Sequence, residues 1–107
     1  MASKAKVVRS SGNVFRDLGF APEEAQHLLV RSKLMLGIER IIRTRGLTQA
    51  AAAKAMGVSQ PRVSDLLRGK VNLFSADTLI DMLARLGVTL RLAFASSTSR
   101  RVAEHRG

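Results

Sequence analysis

The 107-residue chain contains no cysteine, no tryptophan and no tyrosine, and only 2 prolines. Without cysteine it has no disulfide, no thiolate metal ligand and no cysteine nucleophile. No run of about 18 apolar residues is present, so there is no candidate for a membrane-spanning helix. The basic N-terminus also lacks the apolar stretch that follows the charges of a secretory signal. These absences predict a cytoplasmic protein with no membrane partner.

Acidic residues are also scarce, since 8 Asp and Glu stand against 18 Lys and Arg for a net charge of +10. The excess is uneven: residues 40–70 carry a net charge of +6 with Asp65 as their only acid, whereas residues 14–39 sum to −1. A concentrated basic stretch favours a polyanionic partner such as nucleic acid. A solvated basic surface is the other interpretation, and Arg40, Arg43 and Arg45 suit either one.

The length allows one domain with a modest core and not two. Residues 1–13 are small, polar and basic, and we expect them to form a disordered arm. Residues 14–95 carry the periodic apolar pattern of a folded domain, and residues 96–107 are expected to be a flexible tail.

Four helical patterns follow one another along the predicted domain. The first begins near Pro22 and ends near Gly46, and Gly37 leaves open whether it is one kinked helix or two. The segment Phe15–Phe20 before it is predicted to pack on the core as an extended arm. These features predict a mainly helical domain.

The next three helices are recognised by their starts. Thr48 and Ser59 are good N-caps for the second and third helices, and Gly57 between them suits a sharp left-handed turn. Pro61 then falls in the first turn of the third helix, where its missing N–H costs nothing. Ser75 caps the fourth helix.

The segment Val88–Ala95 alternates apolar and other residues, which predicts a strand with one apolar face. A lone strand needs a partner, and Lys6–Arg9 is only a weak candidate within the chain. We therefore predict that the strand pairs with its copy in a homodimer with two-fold symmetry. The predicted dimerisation residues are Val88, Leu90, Leu92 and Phe94.

The stretch QAAAAKAMGVSQPRVSDLLR, residues 49–68, resembles the helix-turn-helix of the lambda-like phage repressors and the wider XRE family. It has the family's key residues at the right spacing, namely Gln49, Ala53, Gly57, Val63 and Leu66. Ala53 allows close helix contact, and Val63 and Leu66 bury the second helix against the first. The resemblance implies an all-α, lambda-repressor-like bundle of four to five helices, here with one C-terminal β-strand.

Sequence-specific binding of double-stranded DNA follows from this resemblance, with the third helix as the recognition helix. Gln60 has the chemistry to bind adenine and Arg62 to bind guanine, although Arg62 could instead pair with Asp65. Ser59 and Pro61 each have a structural explanation as well, as a cap and as a helix start. The predicted base contacts are Ser59, Gln60, Pro61, Arg62, Ser64 and Asp65. The predicted phosphate contacts are Gln49, which the resemblance implies, with Arg68, Lys70 and Asn72.

Longer phrases of the chain, FRDLGFAPEEA, RGLTQ, SQPRVSDLLRGK and FSADTL, are similar to the HigA-like antitoxin branch of the XRE family. This similarity implies a prokaryotic repressor of its own operon, nucleoid-associated when bound, that neutralises a RelE/HigB-like toxin. The predicted two-fold dimer implies that the operator is palindromic. The alternatives are a stand-alone XRE-type regulator without a toxin, or a protein-interaction module that no longer binds DNA.

Catalysis finds no support in the residues. His27 and His105 are the only histidines, and neither has metal-ligand spacing or a nucleophile beside it. We expect no enzymatic activity, no metal and no cofactor. The 4 aromatic residues are all phenylalanines at core-like positions, which disfavours a single-stranded RNA reader that needs stacking surfaces.

Overall fold

The computed structural model of the chain describes residues 13–95. The predicted arm, apart from Asn13, and the predicted tail 96–107 lie outside the described residues. Within residues 13–95 the fold is helical and contains no strand. Its elements are α1 (Val14–Asp17), α2 (Pro22–Thr44), α3 (Gln49–Met56), α4 (Gln60–Leu67), a 3₁₀ helix (Val71–Leu73) and α5 (Ala76–Arg85).

The long helix α2 is a single element of 23 residues that runs through Gly37 without a break. Pro22 lies in its first turn together with Glu23 and Glu24, which suits the positive end of the helix dipole. A glycine inside a helix costs about 0.5–1 kcal/mol. The burial of Ile38 and other apolar side chains on the same helix outweighs that cost.

The segment before α2 differs from the predicted extended arm, because residues 14–17 form the short helix α1. Asn13 caps it: its Oδ1 accepts from the Phe15 N–H at 3.0 Å, and its Nδ2 donates to the Ala25 carbonyl of α2 at 3.2 Å. The Phe15 and Phe20 rings meet edge to face at 6.1 Å. Leu18 is 70% exposed, so only part of the segment packs as expected.

The predicted N-caps of the other helices are confirmed. The hydroxyl oxygens of Thr48, Ser59 and Ser75 accept from the backbone N–H three residues further on, at 3.0, 3.4 and 3.1 Å. Pro61 lies in the first turn of α4, as predicted. Local capping chemistry therefore sets where α3, α4 and α5 begin.

One apolar cluster holds the helices together. α2 and α5 pack against each other and form the frame, and α3 and α4 pack together on that frame. The largest side chains that are fully buried belong to Phe74, Ile38, Met56, Leu79, Met82 and Val63. The α3–α4 pair is thus fixed from the inside, and its other side faces solvent.

The segment 88–95 forms no strand with any other residue of the range 13–95. Val88 packs against the core, and its N–H donates to the Leu83 carbonyl at 3.0 Å. Farther along, Leu92 and Phe94 are 72% and 93% exposed. A strand exists only when a neighbouring strand supplies its hydrogen bonds, so the predicted pairing with a second copy stays a prediction.

Candidate nucleic-acid interface

The turn between α3 and α4 depends on Gly57. Its φ of 71° lies in the left-handed region, and the N–H of Val58 donates to the Ala53 carbonyl at 3.0 Å to close the end of α3. A Cβ at Gly57 would also lie 3.2 Å from Nη1 of Arg85. Arg85 is exposed and pairs with Asp81 at 3.0 Å, so its side chain can move aside. The left-handed backbone angle is therefore the reason for glycine here.

The inner face of α4 is buried against α3 and the frame, as predicted. Val63 and Leu66 are 0% and 2% exposed, and Ala53 of α3 is also buried. A small residue at Ala53 lets the two helices approach closely, because no long side chain separates them. These contacts fix the angle between α3 and α4.

The outer face of α4 presents some of the predicted base-contacting residues to solvent. Gln60 and Pro61 are exposed, and Ser64 is half-buried. Arg68, a predicted phosphate contact, is exposed as well. Within residues 13–95, the side-chain amide of Gln60 has no hydrogen-bond partner in the protein. Ser59 is exposed as well, although its hydroxyl already caps α4. The amide of Gln60 is therefore available to a ligand that lies along this face.

Arg62 and Asp65 have partners in the structure, and they are not each other's. The Arg62 guanidinium lies over the Phe74 ring, with Cζ 4.1 Å from the ring centroid, and its Nη1 donates to the Leu73 carbonyl at 2.9 Å. Asp65 pairs with Lys70 at 3.3 Å. The contacts of Arg62 could not be predicted from the sequence, because no spacing rule links a helix residue to residues eleven and twelve positions further along the chain.

The four predicted phosphate contacts lie at the two ends of the α3–α4 unit. Gln49 is exposed in the first turn of α3, and Arg68, Lys70 and Asn72 are exposed where α4 ends and the 3₁₀ helix follows. A helix N-terminus and flexible cationic side chains both suit phosphate oxygens. Lys70 is shared with Asp65 in the free protein.

The basic residues at the end of α2 divide into two kinds. Arg43 pairs with Glu39, and Nη1 of Arg45 donates to the Leu86 carbonyl at 2.9 Å, which ties the end of α2 to the end of α5. Arg40 is exposed and has no partner within residues 13–95. Both interpretations of this stretch, a solvated basic surface and a phosphate-binding surface, stay predictions.

Two short helices joined by a glycine turn, with the inner face of the second buried and its outer face exposed, form a helix-turn-helix. Within residues 13–95, no three or more His, Cys, Asp or Glu residues are grouped so that they could hold a metal ion. None of the helices in this range combines the length and the apolar character that crossing a membrane requires.

Comparison with known proteins agrees with this geometry. A family model described as a helix-turn-helix domain matches residues 14–94, which is most of the chain. A solved structure assigned to the XRE family of transcriptional regulators is 29% identical with a TM-score of 0.63, over 68% of this chain and 82% of that chain. No curated protein matches the chain. The chain belongs to the helix-turn-helix domain family, and its fold is similar to that of the XRE-family transcriptional regulator.

Proposed function

We propose that this protein is a sequence-specific transcriptional regulator that inserts the N-terminal half of α4 into the major groove of duplex DNA. The observation that carries the proposal is the exposed first turn of α4, with the free amide of Gln60, on a helix whose inner face is fixed by the core. A glutamine amide both donates and accepts, which matches the N6 and N7 edge of adenine. Ser59, Pro61, Ser64 and Asp65 complete the proposed groove-facing set.

Phosphate contacts at both ends of the unit would hold α4 in register on the duplex. Gln49 would bind one phosphate at the start of α3, and Arg68, Lys70 and Asn72 would bind others beyond α4. Because these contacts displace condensed counterions, affinity should fall steeply as the salt concentration rises.

Binding of the full-length chain to duplexes selected from a random-sequence library, and to the DNA upstream of its own gene, tests this function. We expect one sequence to be preferred and the logarithm of the affinity to fall linearly with the logarithm of the salt concentration. Equal binding of all duplexes would contradict sequence-specific regulation, and absence of binding at low salt would contradict DNA binding altogether.

The proposed regulator acts as a homodimer in which segment 88–95 pairs with the same segment of a second copy. Leu90, Leu92 and Phe94 are exposed in the single chain, and their alternation gives an apolar face that a second copy would cover. Two-fold symmetry would place two α4 helices about one DNA turn apart, which suits a palindromic operator and repression of the adjoining promoter.

Sedimentation at micromolar concentration tests the dimer. We expect the double variant Leu92→Lys, Phe94→Lys to be monomeric, because four lysines would face each other in the pair. Val14→Lys is the matched control, since Val14 is an exposed apolar residue outside the proposed interface. A wild-type monomer, or a double variant that remains dimeric, would contradict pairing through this segment.

An antitoxin role, with a RelE/HigB-like toxin as partner, is the finer form of this proposal. It is supported by an apolar groove of about 340 Å³ between α1, α2 and the end of α4, whose lining includes Phe15, Leu36 and Leu67. Leu36 is 57% exposed at this groove, and an exposed apolar surface of this kind suits a protein partner. Co-purification with the product of the neighbouring gene should be lost with Leu36→Glu and kept with Val30→Glu. Failure of the wild-type chain to bind that product would favour a stand-alone regulator.

A further inference from the structure

Arg62 occupies the first turn of the proposed reading helix, yet its side chain binds the segment that follows α4. We propose that Arg62 is a positioning residue that fixes α4 against the phosphate-contacting segment 70–74, and that it reads no base. This inference rests on the proposed DNA binding by α4. It assigns to Arg62 a role different from that of its neighbours Gln60 and Ser64.

The contacts of Arg62 use both the flat face of the guanidinium and its N–H donors. Its Cζ lies over the Phe74 ring, 4.1 Å from the centroid, and its Nη1 donates to the Leu73 carbonyl at 2.9 Å. Phe74 is 1% exposed and belongs to the core cluster. A lysine cannot stack and donate sideways at once, because its charge is a compact ammonium without a planar fork. The arrangement is therefore specific to arginine.

A second arginine binds the same segment from another helix. Arg31 of α2 is half-buried, and its Nη1 donates to the Phe74 carbonyl at 3.4 Å. Phe74 is thus bound to α4 through its ring and to α2 through its carbonyl. The ion pair between Lys70 and Asp65 adds a further link between α4 and this segment.

These links set the distance between the reading edge of α4 and the phosphate contacts at Lys70 and Asn72 before DNA binds. A preformed register lowers the ordering cost of binding, because fewer groups lose freedom in the complex. Bidentate reading of a guanine would instead need two neighbouring N–H groups of Arg62 turned into the groove, and the guanidinium is held over the Phe74 ring with Nη1 bound to the Leu73 carbonyl.

The test compares Arg62→Met and Arg62→Lys with the wild-type full-length chain on the duplex that the wild type selects from a random library. Affinity is measured on that duplex, on all of its single-base-pair variants and over a range of salt. We expect both variants to lose roughly tenfold in affinity, the loss of one stacked and hydrogen-bonded contact. The loss should be even across the duplexes, with an unchanged salt slope.

Three results would overturn the inference. A preference lost at one base pair only would make Arg62 a base reader. A salt slope reduced by about 1, as expected for Arg68→Ala, would make it a phosphate contact. Unchanged affinity in both variants would leave it without a role in binding. A wild-type chain that selects no duplex would instead overturn the proposed function.

A double-mutant cycle separates positioning from loss of folding. Phe74→Leu removes the ring under Arg62, so Arg62→Met should cost much less affinity in that background than in the wild type. Thermal melting of the same four proteins gives the stability change independently. Additive affinity losses in the cycle would contradict the proposed link between Arg62 and Phe74.

Discussion

On the inner face of α4, Val63 and Leu66 are almost fully buried, whereas on its outer face Gln60 and Arg68 lie exposed to solvent. The two faces belong to the same eight-residue helix, and their roles in folding and in ligand binding can be separated. The inner face holds the helix in position, because its apolar side chains are buried. The outer face contributes little to the fold, so its residues are free to serve a ligand. Substitutions on the inner face should therefore lower the stability of the fold. Substitutions on the outer face should weaken DNA binding and leave the stability nearly unchanged.

The largest effect is expected from Leu66→Ala on the inner face. Loss of a fully buried leucine side chain should lower the free energy of unfolding by about 2–5 kcal/mol, because a cavity remains. Thermal or urea unfolding measures it. Leu73→Ala is the control at a half-exposed leucine and should cost much less. Equal costs at the two positions would mean that α4 is not held by its inner face.

Glycine substitutions give the next largest effect and change sign between two positions. Gly57→Ala should destabilise by about 1–2 kcal/mol, because φ is +71°, where a Cβ is strained. Gly37→Ala should stabilise by about 0.5–1 kcal/mol, because Gly37 lies inside α2 with open space around its Cβ position. Melting temperatures that move in the same direction would contradict this account of the turn.

The helix starts, the turn and the buried side of α4 could mostly be predicted from the sequence. The caps Thr48, Ser59 and Ser75, the turn at Gly57 and the burial of Val63 follow from rules that act over a few residues. The short helix α1 could have been found too, since Asn13 is a good N-cap. The prediction of an extended arm did not use that signal, and it was wrong for residues 14–17.

The contacts that join distant parts of the chain, and the structure of the end of the domain, could not be predicted from the sequence. The stacking of Arg62 on Phe74 and the bond of Arg45 to the Leu86 carbonyl join distant parts of the chain, and no local pattern encodes them. The segment 88–95 shows a different limit. Its alternation indicates a strand, but strand formation depends on a partner that the sequence of one chain does not supply.

On the outer face, Arg68→Ala should leave stability within about 0.5 kcal/mol of the wild type, because Arg68 is exposed. Its effect should appear in the salt dependence of DNA binding, where loss of one phosphate contact lowers the slope by about 1. Lys33→Ala removes the same charge from an exposed position of α2 and is the control. Equal slopes for Arg68→Ala and the wild type would remove Arg68 from the interface.

The smallest effect is expected at the ion pair between Arg43 and Glu39, which lies outside both faces of α4. Arg43→Ala should change the free energy of unfolding by no more than about 0.5 kcal/mol, because an exposed pair one helical turn apart gains little in water. It should also bind DNA like the wild type. A loss of affinity would extend the interface along α2.

The most direct measurement is the base preference of Gln60→Ala beside that of Gln26→Ala, an exposed glutamine on α2. Both variants should melt like the wild type. Gln60→Ala should lose about 1–3 kcal/mol of binding free energy and relax the preference at one base pair in each half-site. Gln26→Ala should keep the affinity and the base preference of the wild type. Gln60→Ala with unchanged affinity and preference would contradict the reading of DNA by the outer face of α4.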